Sequence, residues 1–267
     1  MKNKLAPILL QKQREIADLY HCLQNDSHHS IAEILYGYLQ HKRVSNFKSV
    51  LRSSSLAVIA EIKRKSPSKG LLSPIFDPVS LAKRYIAGGA NALSILTDKK
   101  FFGGHLGDLT QVAETIGNDS IPIIRKDFII DKVQIAEAFH AGASAVLCII
   151  SILGIKAREL IEFARTLGMD VLVEVHNLDE IQIAIDCGAD IIGINNRNLN
   201  TFEVDMSCAL KLVTAIPDSI VKVAESGIVR PAMAREYHNA GFDAVLIGEA
   251  LVKSPDPEQF IMECRYG

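Results

Sequence analysis

The chain has 267 residues, 48% of them hydrophobic, and a net charge of −2. Balanced charge leaves no electrostatic case for a nucleic-acid or anionic-membrane partner. No apolar run approaches the ~18 residues of a spanning helix, and the run at 5–10 is too short for the core of a signal peptide, so a cytoplasmic protein is expected.

The five cysteines, Cys22, Cys148, Cys187, Cys208 and Cys264, are scattered and form no C-x-x-C. That spacing argues against a disulfide framework or a zinc knuckle and fits a reducing compartment. No H-E-x-x-H, paired His/Cys ligand set or nucleotide loop occurs.

In chain order, LAPILLQKQREIADLY and SIAEILYGYLQHKR are amphipathic helical patterns. They predict an N-terminal helical extension over residues 1–47, packed on or capping a catalytic barrel over 48–267. SNFKSVLRSS then leads into a first strand, AVIAEIK, which is apolar except for Glu61 and Lys63. Four later segments repeat one layout: AGGANAL, AGASAV, CGADII and AGFDAV. Glycine after a helix reads as a left-handed cap. The short apolar run that follows reads as a buried parallel strand. Eight such runs occur, near 57–63, 91–96, 121–126, 143–149, 170–175, 189–194, 220–225 and 243–247. Between them lie helical stretches such as KARELIEFARTLG. The interval is that of a βα unit, and eight units in a chain of this size predict an α/β fold, a (β/α)8 TIM barrel. A doubly wound open sheet is the alternative, but no G-x-G-x-x-G follows the first strand.

Strand side chains alternate sides. Ile59, Glu61 and Lys63 therefore share one face, and Val58, Ala60 and Ile62 the other. The same phase places Lys126 at the end of strand three, Glu174 on strand five, Asn195 and then Arg197 after strand six, and Glu225 on strand seven. A structural ion pair accounts for one inward charge. It does not account for five strands delivering acid, amine, amide and guanidinium groups to the same rim, where such barrels place their sites. Ser226 and Gly227 follow strand seven, and Gly248 and Glu249 follow strand eight. Backbone N–H groups at such strand-to-helix junctions suit a phosphate. The loop LTDKKFFGGHLGDL carries Phe101 and Phe102, which either close on an aromatic ligand or anchor the loop. SPSKG is turn chemistry, either a lid carrying Ser66 or a simple connection.

E-I-K-R-K-S-P-S-K-G resembles the hallmark of the indole-3-glycerol-phosphate synthase family of tryptophan biosynthesis. RKDFIID, LVEVH, IGINNRNL, VAESGI and LIGEAL are similar to that family's blocks in order and spacing, so the resemblance covers nearly the whole chain. It implies the conversion of 1-(2-carboxyphenylamino)-1-deoxyribulose 5-phosphate to indole-3-glycerol phosphate, carbon dioxide and water, with no cofactor and no metal, in agreement with the missing ligand and nucleotide motifs. The implied general acid is Lys126 and the implied base Glu174. Glu61, Lys63, Asn195 and Ser226 complete the implied catalytic set, with the division of acid and base roles left open. Ser66, Phe102, Phe128, Arg197 and Glu225 are the implied substrate contacts, and Gly227, Gly248 and Glu249 the implied phosphate contacts. The Glu249 amide rather than its carboxylate is expected to face the ligand. The partner is then a phosphorylated small molecule, with other tryptophan-pathway enzymes as further partners and a monomer or weak homodimer as the assembly. Two positions depart from the family pattern: His105 stands where serine is more usual, and Cys148 where an aliphatic residue is usual. The nearest rivals are a phosphoribosylanthranilate isomerase-like barrel, a Schiff-base aldolase using Lys126 or Lys63, and a non-catalytic sugar-phosphate-binding barrel.

Overall fold

The apolar runs form a ring of eight parallel strands: β1 (Ala57–Ile62), β2 (Ala92–Leu96), β3 (Ile123–Lys126), β4 (Ala145–Ile149), β5 (Asp170–Val175), β6 (Ile191–Asn195), β7 (Val221–Glu225) and β8 (Ala244–Ile247). Each pairs with its sequence neighbour, and β8 closes on β1 through Ala57↔Ala244 and Ala60↔Ile247. The computed structural model describes residues 4–26, 29–37, 44–52, 55–67, 69–75, 77–117 and 120–267.

Alternation along the strands sorts the core into two layers. Val58, Ala60, Ile62, Val146, Cys148 and Val173 face the surrounding helices. Ile59, Ile124, Leu147, Leu172, Ile191, Val223 and Leu246 fill the barrel interior. Each of these larger aliphatic side chains contributes roughly 1.5–3 kcal/mol on burial. The helices start where the chain supplies caps. Asp77 accepts from Ser80 N, Asn177 from Glu180 N, and Asp131 with Gln134 forms a capping box.

Three N-terminal helices pack on the barrel. α1 (Ala6–Asn25) lies against the C-terminal rim: its leading Leu5 and Ile8 share a cluster with Phe128, Leu199 and Phe202, and its Lys100 partner Gln11 is 3.2 Å away. α2 (Ser30–Leu35) packs on the helix Lys132–His140. The helical pattern expected here runs to residue 43, but 38–43 lie outside the described residues. α3 (Phe47–Leu51) was expected only as a lead-in to β1. It buries Phe47 and Leu51 completely in the barrel-interior cluster and packs on β1 and β2. Two further elements interrupt stretches expected as loop. SPSKG lies within a hairpin pairing Lys65–Ser66 with Gly70–Leu71, its Ser68 being outside the described residues. Lys99–Phe102 is one helical turn because Asp98 accepts from the N–H groups of Phe101 (2.7 Å) and Phe102 (3.1 Å).

Candidate active site

The strand register sets the polar residues beside one another at the rim. Glu61 lies opposite Ser94, Leu96 opposite Lys126, Ile149 opposite Glu174, and Asn195 opposite Glu225. All fourteen residues proposed from the sequence line one cavity of about 610 Å³ at the C-terminal mouth of the barrel.

At its floor the Lys126 ammonium lies 3.1 Å from Glu174 Oε2 and 3.3 Å from Glu225 Oε2. Burial alone would lower the lysine pKa. Glu174, Glu225 and the more distant Glu61 outweigh it and hold the group above its ordinary range, so the amine stays charged. Burial likewise pushes Glu174 up, but Lys126, His176 and a hydrogen bond from Asn195 pull it below the usual carboxylate range. Glu225 has fewer compensating contacts. Burial and the Glu174 charge raise it to about 7, so this second carboxyl carries a proton over much of the neutral range. Two like groups on one lysine are thereby driven apart, the pattern that separates acid from base. Gly193 makes room for this group: a Cβ there would collide with Glu225 Oε1.

Glu61 pairs with Lys63 at 2.5 Å and accepts a longer contact from Ser94 at 3.5 Å. Gly248 is small for the same reason as Gly193, since a Cβ would strike the Glu61 carboxylate. The opposite wall is apolar. Phe102 and Phe128 stand 5.9 Å apart, tilted by 41°, and Leu147, Ile149, Leu199 and Phe202 continue the surface. Arg197 is anchored by its own N–H to Asn195 Oδ1 (2.9 Å) and through its guanidinium to Phe202 O (3.0 Å).

The phosphate-side residues need one correction. Ser226 and Gly227 were expected at a helix N-terminus, but the next helix, Pro231–Asn239, begins later. Here the chain makes an irregular turn with φ of 66° at Ser226 and 85° at Gly227. For serine that region costs of order 1–2 kcal/mol, and such outliers concentrate at functional sites. Glycine is required at 227, because a Cβ would run into Met206 Sδ. On the β8 side Gly248 does precede a helix, Glu249–Lys253. The Glu249 carboxylate pairs with Lys69 (2.8 Å) and Lys253 (2.7 Å).

Of the two aromatics, Phe102 lines the cavity and Phe101 does not. His105 Nδ1 accepts from Gly107 N at 3.0 Å and so caps the helix Leu106–Ile116. A serine there would do the same job. Cys148 faces the helix layer and lies outside the cavity. Sequence reasoning passed over Lys69, Ser94 and the rest of the apolar wall beyond Phe102 and Phe128, namely Leu147, Ile149, Leu199 and Phe202. It also passed over His176, whose only signal was its place directly after the strand LVEV.

A family described as Indole-3-glycerol phosphate synthase matches residues 6–264. Among curated relatives, that of Thermoanaerobacter pseudethanolicus carries the same description and is 43% identical over 241 residues, covering 89% of this chain and 90% of that protein. The Opitutus terrae protein of that description is 41% identical and covers 99% of both chains. Indole-3-glycerol phosphate synthase 1 of Streptomyces coelicolor is 47% identical over 216 residues, covering 80% and 79%. Among solved structures, 3-hexulose-6-phosphate synthase from Salmonella typhimurium superposes with a TM-score of 0.63 at 13% identity, covering 78% of this chain and 96% of that one. At that identity the likeness speaks to the barrel alone. The match along residues 6–264 and the three near relatives settle the membership: the chain belongs to the indole-3-glycerol phosphate synthase family.

Proposed function

We infer that the chain closes, decarboxylates and dehydrates 1-(2-carboxyphenylamino)-1-deoxyribulose 5-phosphate to indole-3-glycerol phosphate, as its family membership supports. The observation that carries the reading is Lys126 seated between two buried carboxyls, 3.1 Å from Glu174 and 3.3 Å from Glu225. The aryl ring lies on Phe102, Phe128 and the neighbouring aliphatic wall. Lys63 and Arg197 take its carboxylate and the sugar hydroxyls, with Ser66 at the edge. Lys126 donates a proton to the ketone oxygen as the electron-rich aryl carbon attacks. Carbon dioxide leaves and aromaticity returns. The new hydroxyl takes a second proton, from the reprotonated Lys126 or from Lys63, and departs as water, while Glu174 takes a proton from the five-membered ring. Asn195 orients Glu174, and Glu61 sets the position of Lys63. Backbone N–H groups of Ser226, Gly227, Gly248 and Glu249 hold the phosphate. The Glu249 carboxylate, occupied by Lys69 and Lys253, supports a role for the amide rather than the acid.

Among the rivals, a Schiff-base lysine needs a neutral amine, and two buried carboxyls keep Lys126 charged. An isomerase using a cysteine base has no candidate, because no cysteine lines the cavity among the described residues. The test is fluorescence detection of indole-glycerol phosphate from the carboxyphenylamino-deoxyribulose phosphate. Tight binding of that compound without product would leave only the non-catalytic barrel.

A further inference from the structure

The proposed reaction has a proton deficit. Two protons go onto the oxygen that leaves as water, and one comes off the five-membered ring. The missing proton matches the negative charge lost when the carboxylate becomes carbon dioxide. Each turnover at neutral pH must therefore draw one proton from solvent, while substrate fills the mouth of the cavity.

The structure holds a second way in. His176 follows β5 directly and stands behind Glu174. Its Nε2 is 3.5 Å from Glu174 Oε1, and its Nδ1 is 3.0 Å from Glu180 Oε2. Nε2 and Glu174 Oε1 are both buried and neither has a hydrogen-bond partner, so they stand as two unsatisfied polar atoms across a 3.5 Å gap. Glu180 is held in turn by the His176 N–H (2.9 Å) and by Asn177 Nδ2 (2.8 Å). Beside the imidazole lies a second, adjoining cavity of about 790 Å³, whose lining includes His176, Asn177, Glu180, Asn198 and Asp205. It meets the substrate cavity only at Asn195, Leu199 and Val204, which line both. The charged and titratable groups facing His176 are Glu174 from β5, Glu180 from the helix Leu178–Asp186, and Glu225 from β7 through its field. Asp205, Cys208 and Lys211 face it from the loop and helix after β6.

We propose that His176 is a proton relay, carrying solvent protons from the second cavity through Glu174 to Lys126 while substrate occupies the first. The proposal rests on the reaction inferred above. In one cycle the His176 imidazolium gives its Nε2 proton to Glu174, Glu174 passes it to the Lys126 amine, and the neutral imidazole is reprotonated from the water side beside Glu180. No electron moves and no bond other than N–H and O–H changes. Burial lowers the His176 pKa, but Glu180 and Glu174 outweigh it and raise the group above its ordinary range, which favours the protonated donor.

The experiment follows product fluorescence at pH 8, where protons are scarce. Wild-type protein that makes no product overturns the reaction, and the relay with it. With wild type active, His176→Ala is expected to lower kcat about 10²-fold, the lower end of the worth of proton transfer, with KM unchanged. Its kcat should then rise with buffer concentration and be restored by imidazolium diffusing into the second cavity. His176→Gln keeps a hydrogen-bonding group but moves no proton, and is expected to be as slow. Wild-type kcat in His176→Gln, or slow variants that neither buffer nor imidazole rescues, would overturn the relay and leave His176 a packing residue. Should His176→Ala fail to fold, His176→Gln and Glu180→Gln provide the same readings.

Discussion

In the proposed reaction Lys126 is the general acid, and it is an end-of-strand side chain outside the apolar core. Lys126→Ala is expected to abolish turnover while circular dichroism shows the fold retained, at a lower Tm because the buried Glu174 and Glu225 lose their counterion. Near-normal kcat in that variant would remove Lys126 from the acid role. Glu225 gives a test with a definite sign. Its folded pKa is raised from 4.5 to about 7, so between those values the native state binds more protons than the unfolded chain. Stability from this group is therefore full below pH 4.5 and lost as pH rises toward 7. Glu225→Gln should raise Tm at pH 8 relative to wild type and leave it nearly unchanged at pH 5; equal shifts at both pH values would show that Glu225 titrates normally. Alternation of side chains was enough to read Glu61, Lys126, Glu174, Asn195 and Glu225 onto one face from the sequence. Their separate protonation states were not legible, because they arise from contacts between β3, β5 and β7. His176 escaped because a residue just past a strand has no fixed phase.

At the level of elements, α1 does more than cover a rim. Its Lys12, only 2% exposed, pairs with Asp98 after β2 (3.0 Å) and Asp127 after β3 (2.8 Å). Burial lowers the lysine pKa, but the two aspartates outweigh it and keep the ammonium charged. Asp98 is the cap of the turn that carries Phe102, and Asp127 directly follows Lys126. One buried cation thus ties the extension to both sides of the aryl wall. Lys12→Met would leave a buried aspartate pair short of its counterion, a change worth about 3–5 kcal/mol. We expect that loss in denaturant unfolding, together with a raised KM as the Phe102 turn loosens. A loss below about 1 kcal/mol would place the pair in the class of weak exposed bridges. The eight strands were legible within about two residues because buried parallel strands bounded by glycine caps leave a strong pattern. The role of α3 was not, since a five-residue helix carries too little periodicity to register. Lys12 sits in a charged helical stretch, where sequence alone reads it as solvated.

For the whole molecule, the two ends of the cavity differ in chemistry. The Lys126 end is ionic and buried; the Ser226–Gly227 and Gly248–Glu249 end offers backbone, with Lys69 above it. If the substrate's phosphate is held there, inorganic phosphate is a fragment of the substrate and should occupy the same place. It should inhibit competitively, raising the apparent KM with kcat unchanged. It should also stabilise the fold, by about 2.7 kcal/mol at ~100 times its dissociation constant. Gly227→Ala separates this site from general salt effects. The added Cβ meets Met206 and the backbone loses a favoured φ, so both phosphate effects should fade while chloride at equal ionic strength changes neither protein. Phosphate that stabilises the Gly227→Ala protein as strongly as wild type would place the anion elsewhere, and the substrate would then have to lie in the barrel mouth in a different direction.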